Sequence, residues 1–386
     1  MLGARLPVLS PLLLAASLFS LAYAVFAVAR VRAFARQRPR PAAGPPVTVL
    51  KPLRGAEPSL YENLRSFCEQ DYPEFQVVFG VRDPQDPAIA VAERVMRDLP
   101  GRDLALVVDD RVIGNNLKVS NLANMYGAAK HDLLVIADSD MRVDQSYLGS
   151  VVGPLRDPAV GVVTCLYAGR ATGGLWAVLG AMFINDWFLP SVLVARSLQP
   201  DRFCLGASMA VRREALEAIG GFAALGPYLA DDYMLGVFMN RRGLRVALAP
   251  CVVENSVWEP DFRTLFTHEL RWARTIRTAQ PLGHAMSLVT HSLLLSGAYL
   301  LVSSLSILGA VVAGGALVLR LGVHYTVRAS LGLREPGRAW LVPLRDVLCF
   351  VVWVASFWGR TVHWGGRKFA VASDGRMSAT GGHDSC

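Results

Sequence analysis

The sequence predicts an α/β fold: a mostly parallel sheet with helices on both faces, set between apolar ends. Three observations predict it. Short β-rich runs alternate with helical stretches through about 240 central residues, the pattern of a parallel sheet. Acidic residues fall where those strands end, the edge at which such sheets bind ligands. Residues 6–29 and 278–319, which flank the polar middle, contain no Asp, Glu, Lys or Arg.

Of the 386 residues, 53% are apolar and 18% charged. A soluble domain carries about 25% charged residues, so the chain is too apolar for a purely cytosolic protein. Its charge is also too plentiful and too uneven for an all-membrane transporter. Six cysteines (Cys68, Cys165, Cys204, Cys251, Cys349, Cys386) form no CxxC pair, which argues against a zinc site and a disulfide framework. Reduced thiols fit a cytosol-facing protein. The net charge of +8 raises nucleic acid as a partner, but its placement points elsewhere. Arg30, Arg32, Arg36, Arg38 and Arg40 directly follow the first apolar run, the positive-inside signature of a membrane anchor. No nucleic-acid-binding motif accompanies them.

Taken in order, residues 6–29 supply 24 uncharged positions, enough for a span of about 20. The charges follow the run instead of preceding it, which marks an uncleaved anchor rather than a signal peptide and places the next domain in the cytoplasm. Val47-Thr48-Val49-Leu50 reads as a buried strand ended by Lys51-Pro52. A helix over 58–69, a strand over 75–81, a helix over 88–98, a strand over 104–108 and a helix over 118–130 follow. The strand 133–137 ends on Asp138. Residues 171–195 carry one charge, Asp186, among Trp176, Phe183, Trp187 and Phe188. We expect this stretch to be buried or interface-lying, since a span there would part Asp138 from Asp232 across the bilayer. An ordinary core helix is the alternative.

The run 278–319 is long enough for two spans, with a turn expected near 303–306. Residues 339–359 form a third candidate whose adjacent Arg345 and Asp346 either sit at the interface or pair with each other. The expected divisions are an anchor and basic arm (1–41), a catalytic domain with interfacial helices (42–282), a membrane region of two or three helices (283–361) and a basic tail (362–386). Every apolar segment makes the bilayer a partner.

Neither GxGxxG nor GxxxxGK[ST] occurs, which removes the main support for a dinucleotide oxidoreductase or a P-loop ATPase. Asp83 closes the strand 75–81, and Asp138-Ser139-Asp140 closes 133–137. Two carboxylates at i and i+2 can reach one Mg²⁺ or Mn²⁺, ions that commonly share their ligands with substrate phosphates. A plain turn is the alternative. Lys118 and Asn121, at a helix start, suit a ribose or phosphate, or else an ordinary solvated helix start. Asp231-Asp232-Tyr233 opens a helix after the Gly/Pro-rich stretch 220–227. In His268-Glu269-Leu270-Arg271-Trp272, Arg271 shares a face with Arg274, and a guanidinium matches a diphosphate bidentately. Trp272 can lie at the membrane interface; on spacing alone this is also an amphipathic helix.

In this order the motifs resemble membrane-anchored family 2 GT-A glycosyltransferases, within them the ceramide glucosyltransferase-like branch. The resemblance rests on Val81-Arg82-Asp83, Asp86-Pro87-Ala88, residues 116–122, Asp138 to Val143, Leu229 to Met234 and Leu270-Arg271-Trp272. Lys51-Pro52-Leu53 with Tyr61-Glu62-Asn63-Leu64 resembles the opening of hopanoid-associated bacterial glycosyltransferases. The resemblance implies a GT-A fold and an inverting hexosyltransferase moving one sugar from UDP-glucose or UDP-N-acetylglucosamine to a membrane lipid. It implies a hopanoid polyol or ceramide as acceptor, the former preferred, with a processive polysaccharide synthase as a rival. Asp83 would bind the uracil end and Asp138 with Asp140 the metal and diphosphate. Asp232 would be the base, and Arg271 with Trp272 would support the leaving diphosphate. His268 stands where the family usually has Gln or Arg. The expected location is a bacterial inner membrane, multi-pass, with the catalytic domain cytoplasmic.

Overall fold

The computed structural model of the chain describes residues 6–37, 44–333, 337–359, 361–364 and 367–379. Arg38, Arg40, Arg360 and Cys386 lie outside the described residues, as do parts of the expected arm and tail. The chain divides into two units. One is a helical unit built from 1–37, 174–198 and 259–359; the other is a sheet unit built from 38–173, 199–258 and 360–386.

The sheet unit holds eight strands in one sheet: β1 (Val47–Leu53), β2 (Phe75–Val81), β3 (Asp103–Val108), β4 (Leu133–Ala137), β5 (Met141–Arg142), β6 (Val160–Ala171), β7 (Ser208–Arg212) and β8 (Arg245–Val257). Their order is β3-β2-β1-β4-β7-β6-β8-β5. β1 to β4 run parallel, β7 runs against both β4 and β6, and β8 returns parallel to β6. The sheet is therefore mixed but dominated by parallel pairing, with the carboxyl ends of β1–β4 gathered along one edge.

Side-chain alternation explains why both faces are covered. Val47, Val49, Val77, Phe79, Val135 and Ala137 pack on one face with the helices Leu60–Cys68 and Ala88–Asp98. Leu50, Val78, Leu134 and Ile136 pack on the other with Val119, Leu122 and Met125 of the helix Leu117–Tyr126. A strand apolar on both faces can only be a buried one. β1 continues through Lys51-Pro52 instead of stopping there. Its pairing with β4 ends at Leu50 while pairing with β2 runs on to Leu53, so Pro52 sits on a side already open.

The region read as a basic tail, together with Thr361 just before it, forms β9 (Thr361–Trp364), β10 (Arg367–Val371) and β11 (Met377–Ala379), an antiparallel sheet with β10 in the middle.

In the helical unit, among the described residues, four helices are long and apolar enough to cross a membrane: Leu9–Ala35, Leu175–Leu198, Ile307–Leu331 and Ala339–Ser356. Pro281–Thr290 and Ser292–Val302 form a pair bent by 62° that would make a fifth. The break expected at 303–306 is present. Ser306 caps the next helix by accepting from Gly309 N–H at 3.0 Å, and Ser304 and Leu305 take positive φ to turn the chain. Most of Leu175–Leu198 is buried. Arg345 and Asp346 do not pair with each other. Neighbours on a helix point about 100° apart, so each finds its own partner: Arg345 grips Glu269 (2.6 and 2.8 Å) and Asp346 grips Arg320 (2.6 and 2.7 Å).

Candidate active site

The chemistry gathers where β1 and β4 end. β4 delivers Asp138 past its last residue, and the backbone N–H of Asp138 donates to Ala207 O at 3.1 Å, just ahead of β7. Lys118, in the first turn of the helix Leu117–Tyr126, meets Asp138 Oδ1 at 2.5 Å and donates to Gly206 O at 3.4 Å. Burial works against the Lys118 ammonium, but Asp138, Asp231 and then Asp232 more than offset it and raise its pKa above the ordinary lysine value. It is a fixed positive charge at the site.

Asp140 is built in from several sides. Asn255 Nδ2 of β8 donates to Asp140 Oδ2 at 2.8 Å, and Ser256 N–H donates to the Asp140 carbonyl at 2.8 Å. Asn63 secures the turn between the two aspartates by donating to Ser139 O at 3.3 Å, and is itself held by Ser256 Oγ at 3.0 Å. Asp140 Oδ1 is buried and has no hydrogen-bond partner. Burial, and then the neighbouring Asp138 and Glu57, push the Asp140 carboxyl up to about 6. An orphaned carboxylate oxygen beside a second carboxylate is the chemistry of a divalent-cation ligand set, so the residues fit a Mg²⁺ or Mn²⁺ held by Asp138 and Asp140. Among the described residues no three His, Cys, Asp or Glu side chains form a complete cage; Mg²⁺ sites typically add one or two carboxylates to substrate phosphates and water.

Asp231 and Asp232 open the helix Asp231–Arg241 and play different parts. Asp231 is buried and accepts from Asn116 Nδ2 at 3.1 Å. Asn116 also caps its own helix, its Oδ1 accepting from Val119 N–H at 3.0 Å, and donates to Tyr228 O at 2.9 Å. Asp232 is half-buried, and its Oδ1 accepts from Tyr233 N–H at 2.8 Å. A Cβ at Gly206 would lie 3.0 Å from Asp232 Oδ2, so a glycine there leaves that oxygen room. Burial, and then Asp231, push Asp232 up to about 6.

The other expected site residues are placed differently. Asp83 is exposed beyond β2, its Oδ1 accepting from Gln85 N–H at 2.9 Å. Asn121 turns inward, donating to Gly80 O at 2.8 Å, so it ties helix to strand and does not face a ribose. Arg271 and Trp272 belong to the helical unit, on the helix Phe262–Ala279. There Trp272 stacks on Phe183 (5.9 Å between ring centres) and packs on His268 (4.3 Å). His268 Nδ1 and Glu259 Oε1 are 2.8 Å apart.

Lys51, Asn116, Gly206 and Asn255 were not among the site residues that the sequence pointed to. Lys51 is fully buried in β1, donates to the Asp138 carbonyl at 2.5 Å and lies 3.9 Å above the Phe67 ring. Burial takes its pKa down to about 7 against the pull of Asp140 and Asp138. The available signal was a lysine inside an apolar strand run.

The family model described as Glycosyl transferase family 21 matches residues 12–377, a different family number from the one the motifs suggested. Ceramide glucosyltransferase 1 of Caenorhabditis elegans is 29% identical over 53% of this chain and 44% of its own length. Ceramide glucosyltransferase of Komagataella phaffii is 37% identical over 28% of this chain and 22% of its own. The chain thus covers less than half of the relatives it matches. Among solved structures, a mannosyltransferase from Pyrobaculum calidifontis, in complex with GDP-Man and Mn²⁺, superposes with a TM-score of 0.53 at 20% identity, over 91% of this chain and 99% of that one. That likeness shows the GT-A fold.

Proposed function

The chain belongs to glycosyl transferase family 21, and from that membership we propose that it moves one sugar from a UDP-sugar to a hydroxyl of a membrane lipid, with inversion. The observation that carries the reading is the cluster Lys118, Asp138, Asp140 and Asp232, with one oxygen of Asp140 left without a partner. The relatives reported above are ceramide glucosyltransferases, which moves the preferred acceptor from a hopanoid polyol to ceramide, and the preferred donor to UDP-glucose. The likeness to hopanoid-associated enzymes in residues 51–64 leaves the polyol as the second acceptor to test. The apolar helices support a reaction at a membrane, and the Arg30–Arg36 cluster after the first of them supports a cytoplasmic catalytic domain.

A lipid hydroxyl is a poor nucleophile until its proton is taken. Asp232 receives that proton as the oxygen attacks the anomeric carbon opposite the diphosphate, and the bond to UDP breaks on the far face. Lys118 offers the donor phosphates a positive charge that burial does not remove. A Mg²⁺ or Mn²⁺ held by Asp138 and Asp140 would add charge neutralisation at the leaving diphosphate. Asp83 is assigned to the uracil, and Arg271 with Trp272 to the diphosphate, on motif alone.

The test is sugar transfer by the full chain in detergent, offering UDP-glucose and UDP-N-acetylglucosamine against ceramide and a hopanoid polyol. Transfer to ceramide, lost with EDTA and reduced by about 10²–10⁴ in Asp232→Asn, is expected. Transfer only to the polyol would replace the acceptor. Absence of UDP binding would sink the reading.

A further inference from the structure

The strands β9–β11 close over the segment that leads to the candidate base. Val362, Phe369, Val371 and Met377 bury their side chains around Leu229. Backbone bonds tie the same places: Met377 N–H donates to Pro227 O at 2.8 Å and Leu229 N–H donates to Gly375 O at 3.2 Å. Tyr228 and Arg376 pair as an antiparallel bridge, so residues 227–229 run as a short extra strand beside 375–377. Asn115 Nδ2 donates to the Met377 carbonyl at 2.6 Å, and its neighbour Asn116 holds both Tyr228 and Asp231.

This matters because the helix that presents Asp232 has no side-chain cap at its start: Ala230 occupies the cap position. Uncapped first turns fray, since their N–H groups lack intrahelical partners. Here the approach to the helix is fixed from outside, by an apolar anchor three residues before Asp232 and by Asn116.

We propose that Leu229 is a positioning residue and that β9–β11 act as a clamp which sets the carboxylate of Asp232 for the acceptor hydroxyl. The inference rests on the reading of Asp232 as the base. Misplacement of a reacting group by about 1 Å costs on the order of 10²-fold in rate, so a loosened clamp lowers turnover while UDP-sugar binding, built from other residues, persists.

The test compares Leu229→Ala, Phe369→Ala and the conservative Leu229→Met in the full chain in detergent. Two readouts are needed: steady-state sugar transfer, and hydrogen–deuterium exchange over residues 226–234. Leu229→Ala and Phe369→Ala are expected to lower kcat about 10- to 100-fold, by the same positioning argument. The KM for UDP-sugar should stay within about two-fold and exchange at 229–233 should quicken. Leu229→Met should restore most of the turnover. Unchanged kcat, unchanged exchange, or a KM that rises in step with the loss of kcat each overturns the proposal. Should Leu229→Ala not fold, Leu229→Val carries the same comparison. A wild-type chain inactive with every donor and acceptor would instead sink the transferase reading, and unchanged exchange in the variants would then separately dispose of the clamp.

Discussion

Asp232 and Lys51 are both shifted by burial, in ways that give opposite pH signs. With Asp232 held up at about 6, the base is protonated at lower pH, so kcat/KM should fall about tenfold per pH unit below 6 and level off above it. A profile flat down to pH 5 would exclude Asp232 as the base. The same shift costs stability at neutral pH: the folded pKa lies above the unfolded one, so the bound proton stabilises the fold below about 4, and that benefit is lost as pH rises through 6. Asp232→Asn should therefore lose activity without losing stability. For Lys51, pushed down to about 7, the unfolded chain holds its proton up to about 10, and stability contributed there rises with pH between those values. Asp138 and Asp140 were legible because they follow the end of an apolar strand run, and Asp232 because it opens a helix after a Gly/Pro-rich stretch. Lys51 was not, because its partner is a backbone carbonyl. Asn116 was not, because its carboxylate partner lies 115 residues away.

Among the helices and strands, the buried ion pairs of the helical unit show what periodicity reveals and what it hides. The sequence exposed Arg345 and Asp346 as charges in an apolar helix, but not Glu269 and Arg320, which neutralise them from 76 and 26 residues away. Asp186, the lone charge of its segment, meets His324 Nδ1 at 2.7 Å. Removing one member of such a pair strands a buried charge, so Glu269→Gln should destabilise the chain by about 3–5 kcal/mol, whereas Glu269→Leu with Arg345→Met should recover most of the loss. Thermal unfolding in detergent compares the two; equal losses would mean that the stranded Arg345 charge carries no extra cost. The strand alternation, by contrast, was legible outright, since β1, β2 and β4 are apolar on both faces. β9–β11 escaped notice because short strands among basic residues, with an apolar partner at Leu229, carry no local signal of their own.

The molecule as a whole should behave as an integral membrane protein. It should remain in the membrane fraction at high salt and at alkaline pH and be released by detergent; release by salt alone would mean that the apolar helices do not span a membrane. The fold class was readable from end to end, since long uncharged runs and alternating strands and helices are properties of whole stretches. The chain passes between the two units five times. That interleaving has a consequence for biosynthesis. A ribosome makes Leu229 long before β9, with the segments containing Ile307–Leu331 and Val342–Ser356 in between. At roughly 5–20 residues per second, Leu229 waits on the order of ten seconds for its cover. On the clamp argument Asp232 is loosely held during that wait, and its setting is completed only after the apolar helices in between have been made.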